Sequence, residues 1–294
     1  MYKNVYTLSI YFVMGVELII SKWIDAVERI GHTYKFAVID INEKIKITDD
    51  IINYLSFSLL SQFRDLGHLR RMFKNEPKSK LKDYVRKNIF PTIDSTISLN
   101  LRKLNYNVRQ GDWGEVLTSC IALNIRKVNA PIRKLRYKMN KEKSLLGIDL
   151  LAFEEDEKNN LIKAILFESK TRTTYKKGIG IEAYQSLCEN SDKAFVDMLN
   201  FISNYYYEKD NFEMADKYDE LIKEPNSIDK DYHSFIIMEK RLWKSVILDC
   251  LNDEPFNFNN VYFNVFLIDN MKELMKETYR RTERVAEEVV YEKR

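Results

Sequence analysis

SLLGIDLLAFEEDEKNNLIKAILFESKTR (144–172) holds two apolar runs, 144–153 and 161–170, separated by the charged stretch EEDEKNN at 154–160. The pattern predicts a β-hairpin whose strands are mostly buried, because apolar side chains fall on both faces. Eight Gly and five Pro stand against eighteen Tyr and sixteen Phe. So few turn-formers argue against an all-β design and for long helices around a compact sheet.

Working outward, Gly111 and Gly114 flank Trp113 just before Glu115, which opens a helix-like segment, EVLTSCIALNI. After the hairpin a helix is expected from about Ile181 to Tyr207, then a strand over 261–269 and a charged amphipathic helix over 271–294. Upstream, TYKFAVIDI (33–41) and KIKIT (44–48) are expected to pair as strands through a turn at Asn42-Glu43. Asp49 or Asp50 then caps a helix through Ile51, Leu55, Leu59 and Phe63. The basic stretch 68–90 reads as a loop at 75–79 followed by an amphipathic helix closed by Pro91. The order helix–β–β–helix–β belongs to an α/β fold with a mixed sheet flanked by helices. The chain divides into an N-terminal α/β extension (1–105), a core (106–270) and a C-terminal helix (271–294).

The 294 residues suffice for one large or two modest domains. Net charge is only +3, so any nucleic-acid surface has to arise from local clustering. Three scattered cysteines without a CxxC pair, and three equally scattered histidines, argue against a disulfide framework or a zinc site and fit a reducing cytosol. The apolar run Tyr6–Ile20 is too short for a comfortable bilayer span and carries Glu17. A cytoplasmic protein with no membrane association is expected.

The hairpin also carries ionisable residues inside apolar strands, where each costs several kcal/mol unless paired or metal-bound. Asp149 lies in the first strand; Glu168 and Lys170 lie at the end of the second, two apart and so on one face. Hairpin pairing brings Asp149 close to Glu168, and Glu115 approaches from the preceding helix. Hydrolysis of a phosphodiester needs a hard divalent cation on carboxylate oxygens, with a cation to stabilise the developing anion. Asp149 and Glu168 are therefore candidate ligands for Mg²⁺ (or Mn²⁺), with the backbone carbonyl of Ser169 as a further ligand. Lys170 is the candidate catalytic lysine. The side chain of Ser169 is expected to point away from Glu168 and Lys170.

Basic residues bracket the hairpin. Residues 126–143 hold eight Lys/Arg and one acidic residue, Glu142. Arg133, Lys134, Arg136 and Lys138 from that run, with Arg172, Lys176 and Lys177 after the hairpin, are candidates for steering a phosphate backbone. Gln185 is an accessory candidate for positioning water or phosphate.

Together, GDWGEVLT (111–118), PIRKLRYK (131–138), GIDLLAF (147–153) and LFESKTR (166–172) resemble the HamA family, the nuclease subunits of the Hachiman anti-phage system within the PD-(D/E)XK superfamily. The resemblance is clearest over residues 106–190. It implies a restriction-endonuclease-like core, Mg²⁺-dependent cleavage of DNA, and a complex with a separate helicase subunit, HamB, that restrains the nuclease. By the same resemblance Asp149 and Glu168 bind metal, Lys170 is catalytic and Glu115 completes the acidic set. The first hundred residues then serve partner docking or regulation. Related nucleases often carry QxxxY after the lysine strand, whereas Gln185 is followed four residues on by Glu189. Two rival readings are a repair or recombination nuclease of the same fold, set apart by the neighbouring genes, and a catalytically silent DNA-binding scaffold, set apart by metal binding.

Overall fold

The computed structural model describes residues 19–144 and 147–292, with the side chains of 190–192 left out. The hairpin is formed by β3 (Leu150–Glu155) and β4 (Leu161–Arg172), antiparallel, with Leu150 opposite Phe167 and Phe153 opposite Ala164. Its turn is built by Asp156, whose Oδ1 accepts from the backbone N–H groups of Lys158 and Asn160, both at 2.8 Å. Asn159 takes the left-handed conformation (φ +61°) that Asn tolerates better than most residues.

β4 is apolar on both sides because both sides are covered. Ile165 and Phe167 belong to one core, shared with α1 (Asp49–Phe63), α4 (Leu99–Ile121) and α8 (Met271–Tyr291). Ala164 and Leu166 belong to the other, shared with α5 (Ile179–Tyr207), α6 (Phe212–Lys223) and α7 (Val246–Asn252). Each fully buried Phe or Leu contributes roughly 1.5–3 kcal/mol relative to exposure, so this double cover fixes the strand's place.

The remaining strands are β1 (Ile24–Glu28), β2 (Ala37–Glu43), β5 (Asp229–Glu239) and β6 (Val261–Ile268). The six-stranded sheet runs β1-β2-β6-β5-β4-β3. The four middle strands are mutually parallel and each edge strand is antiparallel to its neighbour. The mixed α/β class expected from the sequence is the one observed. One pairing differs. β2 pairs with the upstream β1, Ala26 opposite Ile41, and residues 44–48 form no strand. They lead instead into α1, whose N-cap is Thr48: its Oγ1 accepts from the Ile51 N–H at 3.4 Å.

Helices α2 (Leu66–Phe73) and α3 (Lys78–Tyr84) pack against α8, which also lies along α1. Arg281 of α8 ties Asp49 and Asn53 of α1 together. β1 and β2, from the stretch read as an N-terminal extension, are hydrogen-bonded into the same sheet as the hairpin. The apolar run Tyr6–Ile20 lies mostly outside the described residues, but Ile20 is fully buried. Among the described residues, no helix is long and apolar enough to cross a membrane.

Candidate active site

Helix α4 is not broken by its glycines. It runs through Gly111 and Gly114, capped by Ser98, and crosses β4 at Gly114. A Cβ placed on Gly114 would stand 1.9 Å from Thr171 Oγ1 and 3.7 Å from Ser169 Oγ, so only glycine permits this approach. The crossing carries the next residue, Glu115, against the hairpin's open end, where it is buried. Its Oε2 has no hydrogen-bond partner, and Lys134 Nζ lies 4.0 Å away.

Asp149 directly precedes β3, and its N–H donates to the Phe167 carbonyl at 3.2 Å. Its Oδ2 accepts from the Ser169 N–H (2.9 Å) and Ser169 Oγ–H (3.0 Å), while Oδ1 faces Lys134 Nζ at 3.4 Å. Ser169 thus points away from Glu168 and Lys170, as its strand position predicts, but its hydroxyl meets Asp149. The reason is that Asp149 sits outside the regular ladder and folds its carboxylate back over the end of β4. Glu168 and Lys170 project together from the other face of β4, and Lys170 Nζ donates to Glu168 Oε1 at 2.7 Å. Glu168 is 6% exposed.

The electrostatics bind these groups into one cluster. Burial, then the neighbouring Asp149 charge, pushes the Glu168 carboxyl up to about 7 against the opposing pull of Lys170 and Lys134. The same two causes, joined by Asp112, hold Glu115 well above the usual carboxylate range. Asp149 is thus felt by the acids on both faces. Burial lowers the Lys134 ammonium, but Glu115, Asp149 and Glu168 outweigh it and the net displacement is upward.

Asp112, one helical turn before Glu115, was not singled out from the sequence, although the three-residue spacing sets both on one face of α4. Its two oxygens each accept from Lys138 Nζ at 2.7 Å, and the pair is almost wholly buried. Burial still raises Asp112 to about 6.

The seven basic candidates divide. Lys134 and Lys138 are drawn inward onto acids and do not form a solvent face, because the turn at 134–137 places them under α4 and the hairpin. Arg136 donates to the Ser61 carbonyl at 2.7 Å. Arg172 and Lys176 both pair with Glu182 at the start of α5. Arg133 and Lys177 are exposed. Gln185 is exposed on α5.

Among the described residues, no three His, Cys, Asp or Glu side chains are arranged to hold a metal ion by themselves. Glu115 and Asp149 instead share the Lys134 ammonium. The donor set nevertheless suits a hard cation: buried carboxylates with one orphaned oxygen, raised toward their neutral forms by burial and by the Asp149 charge.

No curated protein matches the chain. A family model described as HamA matches residues 17–282, a span that contains the whole sheet, α4 and every acid of the cluster, and the chain belongs to the HamA family.

Proposed function

We propose that the chain is a metal-dependent deoxyribonuclease that acts with a helicase subunit in Hachiman anti-phage defence. Membership of the HamA family supports the Hachiman-related role. The observation that carries the nuclease reading is that Glu115 and Asp149 share the Lys134 ammonium while the Asp149 charge also reaches Glu168, which Lys170 pairs.

Asp149, Glu168 and the Ser169 carbonyl would hold Mg²⁺ or Mn²⁺, with Glu115 completing the negative charge. The bound ion supplies Lewis acidity and a water acidic enough to attack phosphorus near neutral pH. The chain's own groups do the rest. Ser169 fixes the Asp149 carboxylate through two hydrogen bonds, so its orientation is set before substrate arrives. Lys170, aligned by Glu168, offers its ammonium to the charge that develops on the phosphate oxygens. Burial of Glu115 and Glu168 keeps the local dielectric low, which strengthens each of these attractions. Lys177, exposed at the surface, would meet flanking phosphates.

The test is cleavage of linear and nicked DNA by the chain with its helicase partner and Mg²⁺. Glu168→Ala and Lys170→Ala are each expected to abolish cleavage while the circular dichroism spectrum and partner binding stay unchanged. Cleavage at the wild-type rate by folded Glu168→Ala would overturn the reading.

A further inference from the structure

Lys134 belongs to the basic run, yet its side chain is only 10% exposed. Its ammonium has four oxygens around it: the Ile148 carbonyl at 3.0 Å, the Gly147 carbonyl at 3.4 Å, Asp149 Oδ1 at 3.4 Å and Glu115 Oε2 at 4.0 Å. Gly147, at φ +88°, takes a conformation that favours glycine, and the turn it makes presents two successive carbonyls to the same ammonium. Carbonyl and carboxylate oxygens together are the environment that hard cations select. Here a tethered monovalent cation holds it.

We infer that Lys134 is the resident counter-ion of the acidic cluster, and that a divalent cation binds by displacing it. The inference rests on the metal-dependent reading above. Removing the +1 charge leaves the acids without neutralisation, so a divalent ion should bind them more tightly; with the lysine in place the ion first has to evict it. The displaced side chain has somewhere to go. A groove of about 440 Å³ opens beside it, lined by Lys134, Tyr137 and Gly147 and, from α5, by Glu189, Lys193 and Asp197. Two carboxylates against one lysine leave that wall with net negative charge, toward which the ammonium can move. Lys134 is then a positioning residue that keeps the metal-free cluster closed and ordered, distinct from Lys170, which stays with Glu168.

Three measurements test this on the full chain. In calorimetric titration of chelator-treated protein with Mn²⁺, Lys134→Gln should bind at least about tenfold more tightly than wild type. Lys134→Gln should also melt below wild type in EDTA, with saturating Mn²⁺ closing the gap. The third measurement uses wild type alone: acetylation of Lys134 by an amine-reactive ester, followed by mass spectrometry, should speed up about tenfold when Mg²⁺ is added. An unchanged acetylation rate in protein that binds Mg²⁺ overturns the inference, as does Mn²⁺ binding by Lys134→Gln no tighter than by wild type; the metal-dependent reading survives both. If folded wild type and folded Lys134→Gln both fail to bind Mn²⁺, the reading and the inference fall together.

Discussion

Replacing Gly114 by Ala separates two effects of opposite sign. In a helix interior Gly→Ala is intrinsically stabilising by up to about 1 kcal/mol, because alanine loses less backbone entropy on folding. At Gly111, where an added Cβ meets nothing within 4 Å, only that gain should appear. At Gly114 the same methyl lies 1.9 Å from Thr171 Oγ1 and 3.0 Å from Thr171 Cβ. Rotation of the threonine relieves the first contact and leaves the second, so α4 has to lift from β4. Overpacking of this kind costs about 1–3 kcal/mol. Set against the helical gain, Gly114→Ala should be destabilised by about 1–2 kcal/mol, and by more relative to Gly111→Ala. Urea unfolding followed by circular dichroism measures both, with equal slopes confirming that the unfolded states are comparable. The double variant Gly114→Ala/Thr171→Ala removes the nearer clash and should recover part of the loss, a non-additivity of about 1 kcal/mol. Because Glu115 rides on the shifted turn, DNA cleavage should fall further than stability does. A Gly114→Ala protein as stable as Gly111→Ala would show that the crossing is looser than its distances indicate.

Glu168 links stability to pH. Its carboxyl is raised from 4.5 to about 7 in the fold, so the protonated form is favoured there. Stability from this group is fully present below the unfolded value and is lost as pH rises through 7, by about 3 kcal/mol in metal-free protein. Urea titrations in EDTA should therefore show wild type weakening across that window and Glu168→Gln weakening much less; parallel pH profiles would refute it. Lys138→Met strands the buried Asp112 carboxylate and should cost about 3–5 kcal/mol, most of it restored by Asp112→Asn in the double variant. Near-wild-type unfolding of Lys138→Met alone would mean that Asp112 is protonated without cost.

The hairpin was legible because its apolar runs, its Asp156 turn and its charged exceptions agree with one another. β6, α5 and α8 were legible for the same reason. β5 escaped notice: DKDYHSFIIME begins with charges, and Asp231, His233 and Ser234 interrupt what should read as a buried strand. Asp231 and His233 are inside because partners from other elements meet them, Lys163 for Asp231 and Asn264 with Arg126 for His233, whereas the Ser234 hydroxyl is buried without a hydrogen-bond partner. No local pattern reveals such partners. β2 was paired with the wrong neighbour because Asn42-Glu43 resembles a turn, whereas its partner lies before a longer connection. At the site, the shared face of Glu168 and Lys170 and the nearness of Asp149 to the end of β4 followed from strand spacing. The inward course of Lys134 and Lys138 did not, since a basic run carries no mark of which members meet acids. Gly114 was visible, but as the border of a helix; its use as the contact point of α4 on β4 depends on Thr171, far along the chain.

The order of strands sets the order in which the molecule can assemble. Ile39 of β2 lies beside Asn264 of β6, so the β1–β2 hairpin has no seat in the sheet until the ribosome has released β6. Closing so long a loop is slow and entropically unfavourable until the contacts it permits are made. β3, β4 and α4 emerge well before that point. The acids they carry are thus translated before β6 and stay on an unfinished sheet until it arrives.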